Sequence, residues 1–566
     1  MEWKQLLSVQ RQSEKKQKDL LAEFDDDYLS IISSQAFRRL QDKTQVFLLD
    51  KSDFVRTRLT HSLEVSTIAR QLTVMIIQKM RDFEKTRPKI EKVIEEIPGF
   101  EHAIGTVAAC AGLLHDTGNP PYGHYGESVI RKWFEKQFAN SDFKYGGKPI
   151  CEILTEQMKA DFTRFEGNAQ GLRIMAKSRH KSESHDVNLT YAVMNTLVKY
   201  PNPSNFTYVK EDVKKHKNGY YHAEEDLMRE MCTATGTLVD AERNEYVRHP
   251  LVYVMEAADD IAYATADLED AVMKHCFTVD EFIQFYVNSA DKIDRQNMEA
   301  IIQGLDDDNL KEKVRAYNSI REHMKAESRK GEKYKDQGKL EGWVKEREAL
   351  FSSDSDEELK LFEILEKTVA DYNKIMGNIS RLRVALRKQT ERSPESDFVI
   401  FENWLTSIRS SLMNSAAFAF SFNYDAIMAG TYKDDLFVGT YVEDTIEILK
   451  ATMAAYVYDC DDLVEMELAA KKVVETLLED FVQAVLYYEE DEEKISVIDD
   501  RFIRKIPSNF KEDYKGAKAK LEESGKTSEE IEAEKLYLRL LMVTDYISGM
   551  TDSYASNLYK TINGIL

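Results

Sequence analysis

The chain has 566 residues, 43% hydrophobic and 31% charged, a mix that fills a large core and excludes wholesale disorder. Its 77 Lys and Arg stand against 100 Asp and Glu, and the net charge of −23 excludes a protein whose main task is to coat nucleic acid, which draws on a basic surface. A polyanionic substrate would need local compensation, from a metal ion and from individual Lys and Arg side chains.

Only 10 prolines and 23 glycines punctuate the chain. Long stretches carry Leu, Glu, Lys and Ala at helical spacing, which predicts an all-α fold with short connections. The five cysteines, Cys110, Cys151, Cys232, Cys276 and Cys460, form no CxxC pair and read as reduced, structural residues of a cytoplasmic protein. The N-terminal MEWKQLLSVQRQSEKKQKDLL lacks the apolar stretch of a signal peptide. No uninterrupted apolar run approaches the ~20 residues of a membrane span, so a soluble protein without a membrane partner is expected.

Three parts follow one another. Residues 1–277 hold nearly all the His and Pro punctuation, and short helices joined by motif-rich loops are expected there. Residues 278–395 are long, charged and helical in pattern, which predicts a solvated helical insertion. Residues 396–566 are helical again, interrupted by the acidic run Glu489 to Glu493 and by Ile506-Pro507. Neither a short-period repeat nor a coiled-coil heptad is present.

Four pieces carry chemistry. RTRLTHS, with Arg58 and His61, leads into a helix whose apolar side is expected to hold Leu63, Ile68, Leu72, Met75 and Ile76. A second helix, carrying Ala103, Val107, Ala111 and Leu114, ends in HDTGNPPYGHYGE, where Gly118 and two prolines stop it and which contains His115, Asp116, His124 and Glu127. FEGNAQ, with Asn168, is the third piece. MEAADDIAYATADLED, with Asp259, Asp260, Tyr263 and Asp267, is the fourth.

Imidazole and carboxylate together suit Mn²⁺, Fe or Zn²⁺, with Mg²⁺ tolerated where oxygen and water complete the shell. The adjacent His115-Asp116 can aim both side chains at one ion because the backbone there is leaving helical geometry. His61 and Asp259, from other helices, would close a mixed nitrogen and oxygen shell. A His-Asp dipeptide alone arises by chance, and an acidic pair is usually solvated. HDTGNPPYGH, so dense in glycine, proline and histidine, outweighs those bland readings.

These pieces, with SQAFRRLQDKTQVF before them and DYISGMTD near the C-terminus, resemble the HD-domain deoxyguanosine triphosphate triphosphohydrolases. The strings run in the family's order from near residue 30 to near residue 555. The His-Asp pair is shared by many phosphohydrolases, whereas GNPPYGHYGE combined with FEGNAQ is specific to the triphosphohydrolase branch. The resemblance implies an all-α HD-domain metal core elaborated by further helices, with residues 396–566 completing the substrate pocket and the oligomer contacts.

It also implies a reaction that converts dGTP, and in a wider range other dNTPs, to deoxynucleoside and tripolyphosphate with Mn²⁺ or Mg²⁺. The metal ligands it implies are His61, His115, Asp116 and one aspartate of the Asp259-Asp260 pair. Asp259, Tyr263 and Asp267 share a helix face at i, i+4 and i+8, which selects Asp259 and turns Asp260 away by roughly 100°. His124 and Glu127 would divide the acid/base duty, in an order the sequence leaves open. Arg58, Asn168, Lys199 and Tyr200 would meet phosphate and sugar, Tyr263 and Asp267 the sugar, and Gln45 the region of the 3′ hydroxyl.

Family members form homo-oligomers, hexamers among them, and some respond to single-stranded DNA or to nucleotides at a second site. Residues 278–395 match no motif of the family, and Ser553 follows GMTD where related sequences often carry a larger or basic residue. Two other readings share the metal motif: an HD phosphodiesterase or nucleotidase acting on another nucleotide, and a single-stranded-DNA-binding regulatory protein with a vestigial site. The intact His61, His115, Asp116, His124 and Glu127 speak against the last.

Overall fold

The computed structural model describes residues 1–13, 19–47, 52–177, 187–328, 336–351, 355–389, 391–458 and 461–565. Among them twenty-five α-helices are joined by short connections. Strands are confined to two antiparallel hairpins, Lys144–Tyr145 with Lys148–Pro149 and Leu238–Asp240 with Glu245–Tyr246. The protein is all-α. No single helix among the described residues is long and apolar enough to cross a membrane. Cys110, Cys151 and Cys232 are free thiols, while Cys460 lies outside the described residues.

Two compact units form. The first comprises Met1–Asp270, Ser410–Thr440 and Val457–Leu566; the second comprises Ala271–Arg409 and Tyr441–Tyr456. The second unit has its own core, in which Met298, Leu310, Val314, Tyr317, Phe351, Leu361 and Leu365 pack together. Its helix Gln337–Ala349 buries no residue and is a solvated element.

Seven helices of the first unit position the site: α1 (Arg58–Asp82), α2 (Phe100–Leu114), α3 (Gly123–Phe138), α4 (Gly167–Lys177), α5 (Pro250–Met273), α6 (Ser528–Ser548) and α7 (Asp552–Ile562). A capping pair starts α1, with the Thr57 amide donating to Thr60 Oγ1 at 3.1 Å. Its buried face runs through His61, Val65, Ile68, Leu72 and Ile76 at helical spacing. Leu63, expected on that face, is 42% exposed, because position 63 lies about 200° around the helix from position 65.

Helix α2 is buried from Ala103 to Leu114 and forms the centre against which α1 lies. Gly112 permits the close approach, since a Cβ there would stand 2.8 Å from the Ser66 backbone.

The C-terminal part is fastened by a buried ionic network. Helix α6 starts with a capping box between Thr527 and Glu530. Near its end Asp545 accepts from Gln170 Nε2 at 2.9 Å, Arg173 Nε at 2.7 Å and Nη2 at 2.9 Å, and Lys177 Nζ at 2.7 Å. These partners share one face of α4. Arg173 also donates to Glu224 at 2.6 Å. Burial would raise Asp545, but Arg173 and Lys177 hold it well below the ordinary carboxylate range. Glu224 is pushed up by burial even with Arg173 facing it. Replacing Asp545→Ala leaves Arg173 buried without its main counter-charge, and urea unfolding should show a loss of about 3–5 kcal/mol.

Candidate active site

Helix α2 ends at Leu114, and His115 begins the exit from it. His115 Nδ1 lies 2.8 Å from the Gly112 carbonyl oxygen. A carbonyl only accepts, so Nδ1 carries a proton and Nε2 is the atom turned to the cluster. That Nε2 is buried with no hydrogen-bond partner. It lies 3.4 Å from Asp259 Oδ1 and 3.5 Å from Asp116 Oδ2. His61 Nε2, from the first turn of α1, lies 3.1 Å from the same Asp259 oxygen.

His61, His115 and Asp116 thus offer donor atoms within 4.8 Å of one another, and Asp259 joins them from α5. Donors bound to one ion at about 2.0–2.2 Å lie about 3 Å apart at right angles, so these separations fit a single divalent ion in a mixed nitrogen and oxygen shell.

Each carboxylate is also held by side chains around the cluster. Asp116 accepts from Arg58 Nη1 at 2.7 Å and from Asn119 Nδ2 at 2.6 Å. Asp259 Oδ2 accepts from Lys199 Nζ at 2.7 Å. Burial would raise both acids, but Arg58 holds Asp116, and Lys199 with His115 holds Asp259, well below the ordinary range. His115 is raised: burial opposes its charge, and Asp116 with Asp259 outweighs that.

The cluster opens into a cavity of about 500 Å³, within the ~300–1,000 Å³ typical of small-molecule sites. Of the candidates, Gln45, Arg58, His61, Asp116, His124, Asp259 and Tyr263 line it. Asp260 lines it too, although the helix face turns it from Asp259; the cavity is wide enough to border both. Gln45 Oε1 is buried without a partner.

Lys199 reaches the cavity only through Asp259, and the Tyr200 ring stacks beneath Arg248 at 5.4 Å. Asn168 is turned aside, donating to Glu166 Oε1 at 2.8 Å. Asp267 is fully buried and outside the lining, with neither carboxylate oxygen hydrogen-bonded, and burial pushes it up to about 7. Ser553 is likewise outside the lining and donates to Asp42 at 2.8 Å.

His124, with a side chain 73% exposed, turns its Nδ1 to Glu127 Oε2 at 3.2 Å. Glu127 is buried. Its Oε2 also accepts from Arg131 Nη2 at 2.9 Å, and its Oε1 from the Gly167 amide at 3.0 Å. Burial would raise Glu127, and His124, Lys217 and Arg131 hold it low. Tyr122, just before α3, has φ +64°, a left-handed conformation that costs a side-chain-bearing residue about 1–2 kcal/mol.

Sequence reasoning missed part of the wall and its supports. Thr44, Val46, Tyr122, Tyr125, Tyr458 and Glu467 also line the cavity, and the Tyr458 hydroxyl meets that of Tyr263. Asn119 and Lys43 stand inside HDTGNPPYGHYGE and SQAFRRLQDKTQVF. Burial pushes Lys43 down to about 7. The density of the motifs was the available signal for them, whereas nothing local marks Tyr458 or Glu467.

Residues 478–561 match the phosphohydrolase-associated domain. Along its whole length the chain is 37% identical to a deoxyguanosinetriphosphate triphosphohydrolase-like protein of Listeria monocytogenes, with 100% of each chain covered. A relative of the same description from Listeria innocua matches to the same extent. The deoxyguanosinetriphosphate triphosphohydrolase of Yersinia enterocolitica is 28% identical over 99% of each chain. The chain belongs to the deoxyguanosinetriphosphate triphosphohydrolase family.

The HDTGNPPYGH and FEGNAQ segments touch backbone to backbone. A Cβ on Gly118 would stand 2.0 Å from the Gly167 carbonyl oxygen and 2.2 Å from the Gly171 amide, so HDTGNPPYGH and FEGNAQ pack only with glycine there. Gly118→Ala should therefore cost about 3 kcal/mol in urea unfolding. Gly377→Ala, in a helix with open space around the new Cβ, should be neutral or stabilising by up to about 1 kcal/mol.

Proposed function

We propose that this chain is a metal-dependent deoxynucleoside triphosphate hydrolase, favouring dGTP, that releases deoxynucleoside and tripolyphosphate. The observation that carries the reading is the convergence of His61, His115, Asp116 and Asp259 on a nucleotide-sized cavity whose wall presents His124. Those four residues would hold the ion, Mn²⁺ or Mg²⁺, and when bound it supplies Lewis-acid polarisation of a phosphoryl oxygen.

The remaining chemistry falls to side chains. Arg58 borders the cavity with a guanidinium whose Nε is buried and unpartnered, and it offsets phosphate charge. His124 keeps Nε2 free because Nδ1 is turned to Glu127. It takes the proton of the water attacking the α-phosphorus and returns it to the 5′ oxygen as that P–O bond breaks. Glu127 has both oxygens engaged, which suits it to orienting His124 rather than to carrying the proton. The partnerless Gln45 Oε1 would accept from a sugar hydroxyl. Assembly as a homo-oligomer, a hexamer by resemblance, and response to single-stranded DNA or a nucleotide effector belong to the same reading.

Incubating purified protein with Mn²⁺ or Mg²⁺ and each dNTP should yield deoxynucleoside and tripolyphosphate, fastest from dGTP. Asp116→Ala and His124→Ala should each lower kcat by about 10²–10⁴-fold. Release of monophosphate with pyrophosphate, or of orthophosphate, would refute the proposed bond cleavage. Salt-sensitive DNA binding without turnover would point to the regulatory reading.

A further inference from the structure

Helices α6 and α7 lie toward the end of the phosphohydrolase-associated region, yet neither contributes a side chain to the cavity lining. A direct link to the site is Asp552, the first residue of α7 and 2% exposed. One carboxylate oxygen accepts from the Tyr122 amide at 2.8 Å. The other accepts from the Thr44 amide at 2.9 Å and the Thr44 hydroxyl at 2.5 Å. The Asp552 carbonyl accepts from the Tyr122 hydroxyl at 3.3 Å. Beside it the buried Lys43 Nζ donates to the Asn119 carbonyl at 2.5 Å and the Ser548 carbonyl at 2.8 Å, a second tie to the same loop.

The residues so held are the neighbours of the chemistry. Thr44 precedes Gln45, and Tyr122 precedes Gly123 and His124, all of them on the cavity wall. Tyr122 sits in a left-handed conformation that an L side chain rarely adopts without external support, and the Asp552 bonds fall on its amide and its hydroxyl.

Resting on the reaction proposed above, we propose that Asp552 is a positioning residue: one carboxylate of the C-terminal region sets both the loop that aims His124 and the segment that carries Gln45. Only a carboxylate does this, because its two oxygens accept on two sides at once. An amide would turn an NH₂ group against either the Thr44 or the Tyr122 amide.

The test compares the full-length parent with Asp552→Asn and with Thr44→Val, which removes one bond and leaves both oxygens engaged. For Asp552→Asn, kcat with dGTP should fall about tenfold or more, with Mn²⁺ affinity by calorimetry held within about twofold. Hydrogen exchange should quicken in peptides covering residues 43–47 and 119–127 and stay unchanged over 58–66. Thr44→Val should lose less. Unchanged kcat and exchange in Asp552→Asn would overturn the proposal, as would loss of kcat together with Mn²⁺ binding and the melting temperature, the mark of a merely structural residue. If the parent turns over no dNTP, the proposed reaction fails, and the exchange pattern alone then decides the role of Asp552.

Discussion

Two carboxylates and two imidazoles converge in a largely buried site, and this arrangement holds only if both acids stay ionised. Burial and mutual repulsion push Asp116 and Asp259 toward protonation, and each is answered by one dedicated cation, Arg58 for Asp116 and Lys199 for Asp259. Arg58 stands three residues before His61 on α1, so a single helix turn brings both one member of the cluster and the neutraliser of another. The Arg58 amide in turn donates to the Lys43 carbonyl at 3.0 Å, which joins the start of α1 to the segment carrying Gln45.

Around that centre the fold is a series of close approaches. Gly112 lets α2 lie against α1, and Gly118 lets the loop after α2 lie against the start of α4. The Gly167 amide then reaches Glu127, which faces His124, so the packing of one motif against another also sets the histidine. Helix α4 is bound to α6 through Asp545, and α7 reaches the same loop through Asp552. The C-terminal region is thereby tied to the cavity at two places.

Much of this was legible from the sequence, for physical reasons particular to each piece. Chemistry packed into HDTGNPPYGHYGE is local, so His115, Asp116, His124 and Glu127 were readable where they stand. Helical periodicity singled out Asp259 and Tyr263, which lie on one face of α5 toward the cavity. The same periodicity carried the face on to Asp267, which lies one turn further and is fully buried. Leu63 was misplaced because a hydrophobic residue near a helix start need not lie on its buried face, and Asn168 because Glu166, two residues away, takes its amide. Tyr458 and Glu467 come from far along the chain with no local signal. The second unit, which no motif marked, has its own core and was legible only as helical.

The convergence of the four ligands on one ion is the claim on which the rest stands, and calorimetric titration of Mn²⁺ tests it directly with the parent, Asp259→Ala and Asp260→Ala. One Mn²⁺ per chain is expected in the parent, the same in Asp260→Ala, and none of comparable affinity in Asp259→Ala. Full Mn²⁺ binding by Asp259→Ala, or its loss in Asp260→Ala alone, would contradict it.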